Sequence, residues 1–224
     1  MPDWIFLVNP AAGQLGGIAG WEQSAATLQK AGISFDYRVS GHPAAMTTLL
    51  EQSLQAGCRK IVGVGGDGTH HQLINALLNQ QICPMADITY GLLPRGSGND
   101  WARGQGIPQR LAQWVYYLKN GRPQWKDAGL ASQKGQSVYF ANVAGMGFDG
   151  EVVRSIDRKG IMTKNGWKYF REIFACLGRF EAQLIDLHSD TLHHRSSCLT
   201  VHLGLSPYSG GGMRFVPHAG QKEG

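Results

Sequence analysis

Three times in the first hundred residues a short apolar run ends abruptly in a glycine-rich turn. Trp4-Ile-Phe-Leu-Val8 runs into Asn9-Pro-Ala-Ala-Gly13, Lys60-Ile-Val-Gly-Val64 into Gly65-Gly-Asp-Gly-Thr69, and Ile88-Thr-Tyr-Gly-Leu-Leu93 into Pro94-Arg-Gly-Ser-Gly-Asn-Asp100. Runs this short and apolar read as strands buried on both faces. The stretches between them, 19–30, 43–56 and 69–79, have helical composition, and the first two close at Gly32 and Gly57. Pro43 suits the first position of the second helix. Residues 33–39 alternate apolar and polar as a half-buried strand does. Strand and helix alternating over short links predict a Rossmann-like, three-layer α/β fold with a parallel sheet. The glycine turns then all leave the carboxyl ends of strands, where such sheets bind ligands.

Beyond a further helix at 109–120 the pattern changes. Residues 137–143, 182–188 and 197–205 read as strands without regular helical crossovers, with one amphipathic, aromatic helix inserted at 165–180 (Trp167, Tyr169, Phe170, Phe174). The expected organisation is an α/β domain over residues 1–127 and a mostly β, sandwich-like domain over 128–224. The aromatic helix serves core packing or, with Lys164, Lys168 and Arg171, faces lipid headgroups.

Glycine is 31 of 224 residues, roughly twice the usual share of about 7%. Without a G-X-Y period, and with 42% hydrophobic residues, this excludes collagen and wholesale disorder and fits a compact chain with close backbone approaches. No uncharged apolar run approaches the roughly 20 residues of a membrane helix. The start carries no basic leader, and four scattered cysteines form no CxxC pair, so a cytoplasmic protein, peripheral at the inner membrane face, is expected. The net charge of +5 favours anionic partners such as nucleotides or an acidic membrane. No dense basic cluster interleaved with aromatics argues for nucleic acid.

Glycine turns let backbone N–H groups approach an anion closely, and a helix opening there adds its dipole. A carboxylate repels phosphate, so Asp67 makes sense on a ribose hydroxyl or on Mg²⁺ beside the phosphates; Thr69 caps the helix or bonds a phosphate oxygen. The turns match neither GxxxxGK[ST] nor, in register, GxGxxG. His70-His71 lacks metal-site spacing, since adjacent helix positions diverge by about 100°. His193-His194 falls in a solvent-facing hairpin. Ser206 and Ser209 lack a triad order.

Asn9-Pro-x-x-Gly13, Gly65-Gly-Asp-Gly-Thr69 and Pro94-x-Gly-Ser-Gly-Asn-Asp100 resemble, in order and spacing, the catalytic domain of diacylglycerol and sphingosine kinases, and the bacterial soluble lipid kinases in particular. Asp127, Phe140-Ala-Asn142, Gly145-Met-Gly-Phe-Asp149 and Gly210-Gly-Gly212 through Pro217 agree with that resemblance. It implies an ATP- and Mg²⁺-dependent lipid kinase that passes the γ-phosphoryl group to a lipid hydroxyl. By similarity Asn9, Pro10, Gly13, Ser40, Gly65, Gly66, Asp67, Gly68, Thr69 and Ser97 belong to the nucleotide site, with Asp67 catalytic. Arg95, Asn99 and Asp100 are assigned to substrate. A structural Mg²⁺ would use Glu223, the carbonyl of Gly220 and, through water, Asp127.

The resemblance further implies a β-domain continuing beyond residue 224, with the general base in that stretch. Implied partners are a lipid at an anionic membrane surface and a second copy in a homodimer, without nucleic acid. The rival readings are a kinase of the same superfold acting on NAD or a small alcohol, and a non-catalytic nucleotide-binding module.

Overall fold

The computed structural model describes residues 2–42, 45–159 and 166–220, without the side chains of 157 and 166–170. The expected helix start at Pro43 and the expected metal ligand Glu223 lie outside the described residues, as do the side chains of Trp167, Tyr169 and Phe170.

The chain gathers into two compact units, Met1–Val143 with Leu205–Gly224, and Ala144–Gly204. These packing units are cut differently from the stretches 1–127 and 128–224. In the first unit, β1 (Trp4–Val8), α1 (Gly17–Lys30), β2 (Phe35–Val39), α2 (Ala45–Gln55), β3 (Lys60–Gly65), α3 (Asp67–Asn79) and β4 (Thr89–Pro94) alternate as expected. The four strands form one parallel sheet in the order β2-β1-β3-β4.

The apolar run of β1 explains the three layers. Successive side chains of a strand point to opposite faces, so Phe6 and Val8 join one core and Ile5 and Leu7 the other. The first core packs Trp21, Ala25 and Leu28 of α1 and Trp114 of α5 (Leu111–Asn120) against Val62, Val64 and Leu92. The second packs Met46, Leu50 and Leu54 of α2 and Leu73 and Leu77 of α3 against Ile61. Phe6, Leu7, Trp21, Leu28, Leu50, Ile61 and Leu73 have no measurable exposure, each worth about 1.5–3 kcal/mol of burial for an aliphatic or Phe side chain. The indole N–H of Trp114 donates to the Leu92 carbonyl at 2.8 Å, so that core tryptophan leaves no stranded donor.

Two elements of this unit escape the sequence pattern. One is α4 (Asp100–Gly104), a single short turn of helix directly after a glycine loop. The other is the first turn of α3, which opens at Asp67 rather than Thr69. A hairpin of β5 (Gly129–Gln133) and β6 (Gln136–Phe140) is fastened to α3. The Asn75 side chain donates to the Tyr139 carbonyl and accepts from the Tyr139 N–H, both at 2.9 Å. That pairing is the physical reason the hairpin belongs with the parallel sheet.

The second unit contains β7 (Val143–Gly147, from Ala144 on), α6 (Phe148–Lys159), α7 (Gly166–Leu177), β8 (Gln183–His188), β9 (His193–Cys198) and β10 (Thr200–Gly204). Its strands pair two by two, β8 with β9 antiparallel and β7 with β10. The single strand expected over 197–205 is two strands broken at Leu199, and α6 stands beside α7, the one helix expected here. Helix α6 is polar on most of its circumference; among its described side chains Val152 and Ile156, one turn apart, are buried in the small core with Cys176, and Phe148 packs against it. A stripe that narrow is weak evidence for a helix in sequence. Residues 205–220 return to the first unit with the short pair β11 (Tyr208–Ser209) and β12 (Met213–Arg214).

Between α6 and α7, buried Glu172 accepts from Ser155 Oγ at 2.6 Å and from Lys159 Nζ at 2.7 Å through both oxygens. The Lys159 ammonium, Ser155 and Cys176 hold its carboxyl down at about 2, below the ordinary 4.5, against the opposing effect of burial. A carboxyl whose folded pKa is depressed contributes stability above its unfolded value and loses it as pH falls toward the folded one. Glu172→Gln is therefore expected to lower the melting temperature at pH 7. Its deficit relative to the parent should close between pH 4.5 and about 2. A deficit independent of pH in calorimetric melts would disprove the linkage.

Candidate nucleotide site at the strand ends

The strand order places β1, β3 and β4 side by side, so the three glycine turns lie on one rim. Between β1 and β3 the chain changes the direction in which strands are added, which is where open α/β sheets bind ligands. The turns are tied together by their backbones. The Asn9 N–H donates to the Val64 carbonyl at 3.0 Å, the Gln14 N–H to the Arg95 carbonyl at 2.8 Å, and the Arg95 N–H to the Gly65 carbonyl at 2.7 Å. Ser40, buried just past β2, donates its N–H to the Val8 carbonyl at 2.9 Å and so stands at the same rim.

Side chains complete the fastening. Asn9 Oδ1 accepts from the Ala11 N–H at 3.0 Å, shaping the turn that holds Pro10, and Asn9 Nδ2 donates to Thr69 Oγ1 at 2.9 Å. Gly65 leaves room for Thr69, because a Cβ there would sit 2.2 Å from its hydroxyl. Gly66 and Gly96 touch backbone to backbone: a Cβ on Gly96 would lie 2.4 Å from Gly66 Cα, and one on Gly66 would lie 2.7 Å from Gly96 Cα. Only glycine permits that approach. A Cβ on Gly13 would lie 2.9 Å from the Ser97 hydroxyl, which brings the first and third turns together.

Helix α3 opens into this rim. Its first turn bonds from the His70 N–H to the Gly66 carbonyl at 3.0 Å, so the N–H groups of Asp67, Gly68 and Thr69 precede the helical ladder. They carry the positive end of the helix dipole. Gly68 is exposed, and a Cβ there would meet nothing within 4 Å, so this turn is open to a bound group.

Asp67 directs Oδ1 to the Trp101 N–H at 3.1 Å, at the start of α4. Burial raises its pKa above the ordinary 3.8 and the neighbouring Asp100 charge adds to the rise, while N–H groups of Trp101, Asp100 and Asn99 oppose it. Asp100 is buried, with Oδ2 accepting from the Gly211 N–H at 2.8 Å and Oδ1 without a hydrogen-bond partner. The two carboxylates converge beside Gly98, where a Cβ would lie 3.0 Å from Asp67 Oδ2 and 3.5 Å from Asp100 Oδ2. Hard oxygen donors with an orphaned buried oxygen fit a Mg²⁺ ion next to the turn that would take its phosphates.

The remaining expected residues divide. Asn99 has no measurable exposure, φ of 53°, and both ends of its amide on Gly96, Oδ1 accepting at 2.9 Å and Nδ2 donating at 2.8 Å. Its geometry is that of a brace for the turn. Arg95 Nη1 donates to the Pro94 and Gln109 carbonyls, both at 3.0 Å, and burial lowers its pKa. Ser97 is exposed at the rim. Asp127 is exposed in a segment without regular structure, and Gly220 has φ of 74°; Glu223 lies outside the described residues.

Three contributors were not assigned to the site from sequence. Trp101 supplies the N–H that holds Asp67, and Gly211 the N–H that holds Asp100. His70 stacks on Trp101 at 3.9 Å between ring centroids, with Nδ1 3.1 Å from the Tyr90 hydroxyl. Burial lowers its pKa to about 3, keeping it neutral. The Gly210-Gly-Gly212 run was the one legible signal for Gly211. Its partner, 111 residues away, was not.

This rim brings an open helix N-terminus and two converging carboxylates to the carboxyl ends of a parallel sheet, a chemistry suited to a phosphate and a hard cation. The family description "Diacylglycerol kinase catalytic domain" matches residues 3–131, and the chain belongs to that family. It is 30% identical over 161 residues to the protein YtlR of Bacillus subtilis (strain 168), named for a lipid kinase, covering 68% of this chain and 50% of that one. It is 24% identical over 192 residues to a YegS-like protein of Klebsiella pneumoniae (strain 342), also named for a lipid kinase, covering 86% of this chain and 62% of that one. The chain thus spans about half to three fifths of these relatives' length. Among solved structures it is similar to a diacylglycerol kinase from Bacillus anthracis strain Sterne, with a TM-score of 0.69, 22% identity, and coverage of 97% of this chain and 71% of that one. That likeness bears out the fold: a parallel four-stranded α/β sheet followed by antiparallel strands. Among the described residues no helix is long and apolar enough to cross a membrane.

Proposed function

We propose that this chain belongs to an ATP- and Mg²⁺-dependent lipid kinase and carries its nucleotide site. The observation that carries the reading is the convergence of three glycine turns, the open N-terminus of α3 and two carboxylates, Asp67 and Asp100, on one sheet edge. Phosphoryl transfer is mostly a matter of positioning and charge neutralisation, and this rim offers both. The N–H groups of Gly68 and Thr69 would orient phosphate oxygens, and Asn9, through Thr69, keeps the first turn in place. Asp67 and Asp100 would hold Mg²⁺, which supplies neutralisation of the charge that develops on the transferred group. Asn99 and Trp101 keep those carboxylates and the third turn from shifting.

The acceptor is a lipid hydroxyl at an anionic membrane surface, a reading supported by the family and by the excess of basic residues. Supplying a full-length version of the protein with labelled ATP, Mg²⁺ and either diacylglycerol, a sphingoid base in mixed micelles, or NAD tests it. Label is expected in the lipid alone. Phosphorylated NAD, or a rim that binds no nucleotide in calorimetry, would defeat the proposal.

A further inference from the structure

A second constellation lies in the other compact unit, on the β8–β9 hairpin. The antiparallel register sets His188 opposite His193 and Asp186 opposite Arg195, and residues two apart on a strand share a face. Asp186, His188 and His193 therefore stand together. Asp186 Oδ1 lies 3.0 Å from His188 Nε2 and 2.9 Å from His193 Nε2. The two rings stack with centroids 4.1 Å apart and planes 17° from parallel. The donor atoms all lie within 4.8 Å of one another, and all three side chains are exposed.

We infer that these residues form a binding site for a divalent first-row transition ion of the Zn²⁺, Ni²⁺ or Cu²⁺ kind. Two imidazole nitrogens and one carboxylate oxygen are the donor set such ions prefer, whereas Mg²⁺ takes oxygen. Ligands at about 2.0–2.1 Å in tetrahedral geometry stand about 3.3 Å apart, close to the separation of Asp186 Oδ1 from each Nε2, and the stacked, exposed rings would turn out of parallel to bring both nitrogens onto one ion. The scaffold is held for the purpose. The connecting turn is closed by the Ser189 N–H on the Leu192 carbonyl at 2.8 Å and by the Leu192 and Thr191 N–H groups on Ser189 Oγ at 3.0 and 3.3 Å. The ion would take the place between Asp186 and the two Nε2 atoms. It would clip β8 to β9 at their closed end and leave a coordination position to solvent. Arg195, the hairpin's single Lys or Arg, weakens the pull on any cation, so selectivity rests on the nitrogens.

The test uses the chain free of any affinity tag, with Zn²⁺ followed by calorimetry and Cu²⁺ by electron paramagnetic resonance. One ion per chain is expected, with coupling to two imidazole nitrogens. Affinity should fall roughly 100-fold or more in the double variant His188→Ala with His193→Ala, since even outer-shell partners of metal ligands are worth about 10–100-fold. Asp186→Asn, which keeps both rings, should weaken binding less and retain the nitrogen coupling. His194→Ala is the control, because His194 faces the opposite side of the hairpin beside Ser196, and it should bind as the parent does. Absence of stoichiometric binding in the parent, or undiminished binding in the double variant, would overturn the site. So would a loss in His194→Ala as large as in the double variant.

Discussion

Asp67→Ala is expected to cut ATP-dependent phosphate transfer by at least about 10²–10³-fold, the range seen when one group that stabilises a transition state is removed. The chain should stay folded. Asp67 is half-buried and is held by backbone N–H groups, that of Trp101 at 3.1 Å; the two cores of the sheet do not include it. Initial rates with labelled ATP measure the effect, and unchanged turnover would remove Asp67 from the machinery.

Asp67→Asn separates stability from activity. Burial and the Asp100 charge raise the folded pKa of Asp67 above 3.8, so the folded state holds this proton more tightly than the unfolded chain. Ionised Asp67 then costs stability, and the cost appears as pH rises through 3.8 toward the raised value. At pH 7 Asp67→Asn should melt at or above the parent's temperature while losing transfer. The advantage should vanish below pH 3.8, where the parent's carboxyl is protonated in both states. A variant less stable at pH 7 and unchanged by acid would show that the hydrogen bond to Trp101 outweighs the buried charge.

The second large effect concerns the contact between turns. In Gly96→Ala the new Cβ would meet Gly66 Cα at 2.4 Å, Asn99 Oδ1 at 2.9 Å and the Gly66 nitrogen at 3.3 Å. Backbone cannot swing aside as a flexible side chain can, so the turns must separate. Overpacking of this kind costs about 1–3 kcal/mol, read as a lower urea midpoint at constant m-value. Nucleotide affinity should fall with it, because the N–H groups and Asp67 of the second turn and Asp100 of the third would no longer share one geometry. Gly68→Ala is the matched comparison. Its Cβ meets nothing within 4 Å and its φ is not left-handed, so it should gain about 0.4–1 kcal/mol by restricting the unfolded chain and lose only nucleotide binding. Equal stability of Gly96→Ala and the parent would mean the turns do not touch.

The candidate site was half legible in the chain before it folded. Asn9, Gly65 to Thr69, Ser97 and Asp100 reveal themselves because strand, glycine turn and helix follow one another locally. What each turn does to the next was not legible. Asn99 looked like a ligand contact and is occupied at both ends by Gly96. Arg95 looked like an anchor for an anion and spends described donors on the Pro94 and Gln109 carbonyls. Trp101 looked like nothing in particular, and the Gly210-Gly-Gly212 run marked Gly211 without its partner Asp100, because a backbone N–H leaves no mark in the residue type that carries it. In the second unit, His193 is visible as a surface histidine, while its meeting with Asp186 and His188 depends on a hairpin register that the apolar pattern there, broken by His, Arg and Ser, hardly specifies.

Periodicity alone determined the layers of the first unit. A strand as apolar as Ile5 to Val8 must be covered on both faces, and helices with one apolar stripe are what can cover it. Composition likewise determined that the backbone would approach itself closely. The order of strands, the fastening of the β5–β6 hairpin by Asn75 and the pairing of Asp67 with Asp100 beside Gly98 were decided only in three dimensions. The reason is that a side chain's preference for burial or exposure is a local property of the chain. Its partner is a property of the register and of loop closure between residues as far apart as Asp100 and Gly211.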